Sequence, residues 1–444
     1  MKKTISLSFL FLLLTTVLIA QDKIAPTDIL QNYVNAKDDS FTWRVVNDID
    51  VPVPGVKLSL LEVTSQIWHD VTWKHFMLIA TPAKIAYDNY AVLVIGGGTN
   101  GNEPGNKNEF LVISTLAMQS QVPIMVLYQV PNQPLDPNNK GEGFREDALI
   151  GETILKATET NDPTWLLLLP MTKSVIKSLD VAQAYFKEKN NRKVNKFVVG
   201  GASKRGWTTW LTGATRDPRV VGLVPIVYNN LDIEEQLAYH IESWGNYSSR
   251  IHDYTDRSIF QKDKPMTAFQ STAIKIVDPY SYLAKIDIPK LLIHGSNDPY
   301  WTVDATKLYW DKIREPKFLL TIPNMGHATP SGESLTKVLS TVAIFCRYIA
   351  SDNPFPTVEW KLEDNENEYK VTINSEIPNT KKTLWQAYSE TNHFEDSKFE
   401  PTKQGDTNTI KVSKPQTGHT AFFVELTGEH EGAVLSITTE VWRF

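Results

Sequence analysis

Continuous apolar runs punctuate the chain at Ala91–Ile95, Pro123–Leu127, Lys196–Gly200, Val220–Val227, Lys290–Ile293 and Phe318–Ile322. A strand without polar alternation is the mark of a parallel sheet buried on both faces. Between these runs, Asn108–Gln119, Arg145–Ala157, Thr172–Lys189, Lys204–Thr215, Asp304–Lys312 and Ser331–Ala350 carry helical patterns. Strands alternating with helices predict an α/β domain with a doubly wound, mostly parallel sheet. Ahead of it, Lys23–Val34 reads as a short helix. Leu58–Gln66 and Thr72–Ala80 alternate partially, as antiparallel edge strands with one solvated face would.

Two stretches break the rhythm. Asp232–Lys285 is rich in aromatic and polar residues and reads as short helices. Inserted between two strands of the sheet, it is expected to lie over their C-terminal ends as a cap, where such folds bind ligands. Two prolines in Ser351–Pro356 suit a linker, and beyond it short β-rich runs follow closely with polar turns. The expected division is residues 21–350 as the α/β domain with a cap at 232–285, then residues 355–444 as an antiparallel, β-sandwich-like domain.

The 444-residue length suits two or three domains, and 41% hydrophobic with 22% charged residues is ordinary for a globular protein. The net charge of −6 carries no long single-sign block, so no nucleic-acid partner is expected. Residues 1–20 read as a cleaved signal peptide: Lys2 and Lys3, an apolar stretch from Ile5 to Ile19, then Ala20. Export to the periplasm or beyond is the expectation, without stable membrane insertion. Cys346 is the single cysteine, so no intramolecular disulfide forms, and its apolar neighbours suit a packing role.

The chemistry centres on Gly200-Gly201-Ala202-Ser203-Lys204-Arg205-Gly206-Trp207. A strand entering a tight turn of small residues, then a helix, is the layout of a nucleophile elbow. A serine hydroxyl needs a base to remove its proton, and histidine titrates near neutrality. A carboxylate then fixes the imidazole tautomer. Asp298, in His294-Gly295-Ser296-Asn297-Asp298, and His327, in Asn324-Met325-Gly326-His327, each follow an apolar run. The order Ser203, Asp298, His327 is that of α/β-hydrolases. The backbone N–H of Lys204 is the first expected oxyanion donor, and Gly97 or Gly98, in the glycine-rich loop after Ala91–Ile95, the second. That loop lacks the lysine and hydroxyl ending of a phosphate-binding loop. Arg205 stands where a second glycine is usual, so local packing is expected to differ. Asp304 reads instead as a helix-capping acid, and His294 as a structural histidine. Trp244 and Trp301 fall in the cap and the acid loop, where they would line a cleft or be buried under the cap. His69, His75, His240 and His252 have no paired ligand spacing, so neither a metal nor a cofactor is expected.

With Gly201-Ala202-Ser203-Lys204-Arg205-Gly206-Trp207-Thr208-Thr209-Trp210-Leu211 in view, the chain resembles the PhoPQ-activated pathogenicity-related protein family. Ser65-Gln66-x-Trp68, Trp73-x-His75, Ile95-Gly96-Gly97-Gly98 and the Asp298 loop carry the same resemblance. It implies an exported α/β-hydrolase-like protein in which Arg205 is the family's own form of the elbow, and it names no substrate. Together these features point to a serine hydrolase that cleaves an ester or amide of a small molecule or peptide by acyl transfer. The alternative is a non-catalytic binding protein on the same scaffold, with the C-terminal part as a docking module.

Overall fold

The computed structural model describes residues 25–444 except 50–52, 140, 406 and 431. The segment read as a signal peptide lies outside the described residues. Nine strands build one sheet: β1 (Thr42–Ile49), β2 (Val56–Trp68), β3 (Val71–Pro82), β4 (Tyr90–Ile95), β5 (Ile124–Leu127), β6 (Lys196–Ala202), β7 (Val220–Ile226), β8 (Lys290–Gly295) and β9 (Lys317–Ile322). Their spatial order is β1-β2-β3-β5-β4-β6-β7-β8-β9. From β5 to β9 neighbouring strands run parallel, whereas β1, β2 and β3 join antiparallel.

Each parallel strand sends alternate side chains to opposite faces, and both faces are covered. Leu93, Met125, Val199 and Leu292 enter one hydrophobic cluster; Val92, Ile124, Val198 and Leu291 enter another. Helices α1 (Pro26–Asn35), α3 (Glu146–Thr160), α4 (Leu168–Asn190) and α5 (Lys204–Ala214) cover the first face. Helices α2 (Lys107–Ser120) and α9 (Gly332–Ser351) cover the second. Cys346 is buried there, and burial pushes its thiol up to about 12.

Two expectations need correction. β2 and β3 are not solvated edge strands. Leu58–Leu61 and Met77–Ala80 are buried throughout, because β1 occupies the edge beyond β2 and helices cover both faces. The Asp304–Lys312 stretch is not one helix but two short 3-10 turns, Ala305–Leu308 and Trp310–Lys312.

Between β7 and β8 lie α6 (Ile233–Trp244), α7 (His252–Thr255) and α8 (Ala268–Val277). Beyond α9 come β10 (Val358–Asp364), β11 (Glu368–Ser375), β12 (Lys381–Ser389), β13 (Glu400–Gln404), β14 (Thr409–Ser413), β15 (His419–His430), β16 (Ala433–Thr438) and β17 (Trp442–Arg443). They form two antiparallel sheets, β10-β11-β14 and β13-β12-β15-β16 with β17 on β15. Strand alternation gives β15 two jobs. Phe422, Val424 and Leu426 pack between the sheets, while Ala421 and Phe423 face Phe394, Phe399 and Val303 of the acid-loop region. No helix among the described residues is long and apolar enough to cross a membrane.

Candidate active site

Ser203 closes β6 with φ 59° and ψ −123°, a strained backbone for a residue with a Cβ. Its own N–H donates to the Ile226 carbonyl at 2.8 Å, which ties the turn to the end of β7. Gly206 permits that approach: a Cβ there would meet the Ile226 oxygen and the Tyr228 Cβ at 2.9 Å. The close-packing glycine therefore sits one place later than in G-x-S-x-G. Arg205 fills the vacated position and reaches away from the cleft. Its Nε donates to the Val130 carbonyl at 2.6 Å, and its two terminal nitrogens grip Glu146 at 2.7 and 2.6 Å. Burial acts to raise the Glu146 carboxyl, but Arg205, Gln133 and Lys204 hold it below the usual range.

Ser203 Oγ lies 2.8 Å from His327 Nε2, and His327 Nδ1 lies 2.8 Å from Asp298 Oδ2. A carboxylate only accepts, so Nδ1 carries the proton and Nε2 is free to accept from the serine. Asp298 Oδ1 in turn accepts the Tyr300 N–H at 3.0 Å. The loops after β6, β8 and β9 thus converge, and the three residues singled out in the sequence meet within hydrogen-bond reach.

Neighbouring loops hold the acid and the histidine. Asn297 Nδ2 donates to the carbonyls of Phe394, Glu395 and Ser397 at 2.8, 3.1 and 2.7 Å. Asn324 accepts from the Phe399 N–H at 2.7 Å and donates back to its carbonyl at 3.0 Å. Both asparagines escaped the sequence reading, since an Asn in a loop signals a turn as readily as a long-range bracket.

Lys204 is the first residue of α5, so its N–H has no partner within the helix and points out from the helix N-terminus. Its ammonium pairs with Asp147 at 2.5 Å. Gly97 packs against the Arg205 guanidinium, where a Cβ would come within 2.7 Å of a nitrogen. Gly98 adopts φ +137° beside Gln129. Neither glycine lines the cavity that opens at Ser203.

That cavity measures about 50 Å³, and Ser203, His327, Trp207, Trp301, Tyr228 and α6 wall it. Trp301 lies 5.6 Å from the His327 ring between centroids, and Trp207 stacks on Tyr228 at 5.3 Å. Trp244 is absent from this wall; it stacks on His393 at 5.0 Å and donates to the Asn392 carbonyl, joining α6 to the C-terminal sheets. Asp304 is fully buried away from His327. It does not cap the turn that follows, because Tyr239, Lys307 and Arg443 engage its carboxylate. His294 is buried, with Nε2 3.3 Å from the Tyr309 hydroxyl, and burial lowers its pKa to about 3. Among the described residues, no group of three or more His, Cys, Asp or Glu side chains could hold a metal ion.

Residues 30–396 match the profile of the PhoPQ-activated pathogenicity-related proteins. The chain belongs to this family. It is also 31% identical over 453 residues to autocrine proliferation repressor protein A of Dictyostelium discoideum, covering 94% of this chain and 89% of that protein. Among solved structures, an acetyl xylan esterase from Paenibacillus sp. R4 superposes with a TM-score of 0.51 at 15% identity, over 73% of this chain and 92% of its own. Acetyl xylan esterase 1 from Thermoanaerobacterium sp. JW/SL YS485 gives 0.50 at 12% identity, over 74% and 94%. At such identities the likeness is one of fold, and it makes this family member an α/β-hydrolase in architecture.

Proposed function

We propose that this protein is an exported serine hydrolase working through Ser203, His327 and Asp298. The observation that carries the proposal is the pair of 2.8 Å contacts linking the three side chains in the order nucleophile, base, acid. His327 Nε2 takes the Ser203 proton as Oγ attacks the carbonyl. The resulting oxyanion is stabilised by the Lys204 N–H, with Gly97 or Gly98 as the proposed second donor. Asp298 holds the charged imidazolium. His327 then protonates the leaving group, and water releases the acyl-enzyme by the same steps in reverse. No cofactor takes part. The basic, then apolar, segment at residues 1–20 supports export.

Esters are the favoured substrate class. The fold neighbours are esterases, and a 50 Å³ cavity beside Ser203 suits a short acyl group. The second reading, a binding protein on a hydrolase scaffold, is favoured by one observation: the curated relative is named for repressing proliferation. Hydrolysis of short acyl nitrophenyl esters and aminoacyl nitroanilides, with Ser203→Ala alongside, separates the readings. Turnover lost in the variant supports the hydrolase, and the preferred leaving group distinguishes esterase from amidase. Equal turnover by both proteins, or none by either, favours the binding protein.

A further inference from the structure

The cavity behind Ser203 holds three buried polar atoms without a partner: Tyr228 Oη, Gln236 Oε1 and His240 Nε2. Their residues are 3%, 1% and 2% exposed, so none is reached by bulk water. An unpaired buried polar group is costly, and three around one cavity beside Ser203 call for a reason. Ile233, Gln236, Leu237 and His240 all line the cavity, at the i, i+3, i+4, i+7 spacing of one helix face. Helix α6 therefore turns a mixed polar and apolar stripe toward the reacting serine.

Neighbouring contacts settle which way each group points. Gln236 Nε2 donates to the carbonyls of Leu231 and Ala305, both at 3.4 Å, which leaves its oxygen as the free end. The Ser248 backbone N–H donates to His240 Nδ1 at 3.5 Å, so the ring proton sits on Nε2. Burial lowers the His240 pKa to about 4, which keeps the ring neutral at physiological pH. The cavity thus offers one N–H donor, one carbonyl acceptor and one hydroxyl of either role. Lys204 is already paired with Asp147, so no unpaired charge faces the cavity from that side.

Resting on the hydrolase reading, we infer that this cavity is an acyl subsite for a short acyl group bearing an uncharged donor–acceptor function, a hydroxyl or a carboxamide. The apolar wall of Trp207, Trp301, Ile233 and Leu237 encloses its carbon chain, while Gln236 accepts from the polar group and His240 donates to it. A water needs about 10–15 Å³ of such space, so 50 Å³ takes on the order of four heavy atoms beyond the carbonyl. A carboxylate would meet the Gln236 oxygen with no free cation, and an ammonium would meet the His240 N–H.

Three isosteric nitrophenyl esters test this: 3-methylbutyryl, 3-hydroxybutyryl and malonamoyl. The expected result is a kcat/KM at least tenfold higher for one of the polar esters than for 3-methylbutyryl, and which one separates hydroxyl from carboxamide. His240→Phe and Gln236→Leu, checked for folding by circular dichroism, are expected to bring that ratio to about one. A wild-type ratio of one or below overturns the subsite and leaves the hydrolase reading standing. A high ratio that survives both substitutions also overturns it. If no ester is turned over, the hydrolase reading fails on its own. Binding of 3-hydroxybutyramide against 3-methylbutyramide to the Ser203→Ala chain, followed by NMR, then decides the subsite: preference for the hydroxylated probe supports it, and equal or no binding overturns it.

Discussion

The Ser203 side of the cleft is held from within the α/β layer, where Arg205 reaches across to Val130 and grips Glu146 with two nitrogens. The Asp298–His327 side is held from outside it. Asn297 is bracketed by carbonyls 97 to 100 residues further along, and Asn324 by Phe399. One support is a half-buried ion pair, the other a set of neutral amide bonds. The first resists displacement because the buried Arg205 guanidinium, left alone, is costly. The second is indifferent to charge and depends on the C-terminal sheets being in place. The Ser203 loop is thus braced within the α/β layer, whereas the Asp298 and His327 loops are braced by the C-terminal segment as well.

The largest effect should come from breaking the charged support. Arg205→Met leaves the half-buried Glu146 without its guanidinium, and urea unfolding should show a loss of about 1.5–3 kcal/mol. Adding Glu146→Gln should recover part of it, since the pair is then removed rather than halved. An unchanged midpoint in the single variant would mean that the pair does not hold the elbow.

Acid probes both sides at once. Burial lowers the pKa of His75 and His240 to about 4 and of His294 to about 3. Each is depressed in the folded state, so its stabilising contribution is full above about 6.5 and is lost as pH falls toward those values. Asp278 opposes this: burial raises it to about 7, so it favours the fold as pH drops from 7 toward 4. The three large histidine shifts outweigh the one large carboxyl shift, which predicts falling stability between pH 6 and 4.5. His240→Phe should flatten that slope by about one proton, or roughly 1.4 kcal/mol per pH unit. Parallel slopes in the two proteins would contradict the burial argument.

The neutral support should yield more in rate than in stability. Asn297→Ala removes three hydrogen bonds at a half-buried site and should cost about 1–2 kcal/mol. Because it frees the loop carrying Asp298, kcat should fall on the order of tenfold with little change in KM. Loss of stability with kcat intact would make the bracket merely structural. The smallest effect is expected at the Trp244–His393 stack. His393→Ala should cost about 0.5–1.5 kcal/mol, read as a small drop in Tm.

The same contrast explains what the sequence could tell. Ser203 sits in a local motif, and Asp298 and His327 follow buried strands whose apolar runs are unmistakable, so the three side chains that meet at 2.8 Å were legible in order. The supports were not. Arg205 signalled only that local packing would differ, because only the packed turn shows Gly206 against the Ile226 carbonyl. Asn297 and Asn324 act across 75 to 100 residues, which no local pattern records. Asp304 resembled a cap, because its partner Arg443 comes from the last strand of the chain. β1 carried too little alternation to stand out, with a bulge between Val45 and Asn47 breaking its register. The stripe Ile233, Gln236, Leu237, His240 has helical spacing, but two of its four members are polar, which hid it as a cavity wall.

The central claim is that Ser203 is a nucleophile activated by His327 and Asp298. The most direct measurement is fluorophosphonate labelling of the mature protein, read by intact mass and peptide mapping. One adduct, on Ser203, is expected, and it should be lost in Ser203→Ala and strongly slowed in His327→Ala. A folded wild-type protein that takes no label, or takes it on another residue, would contradict the account.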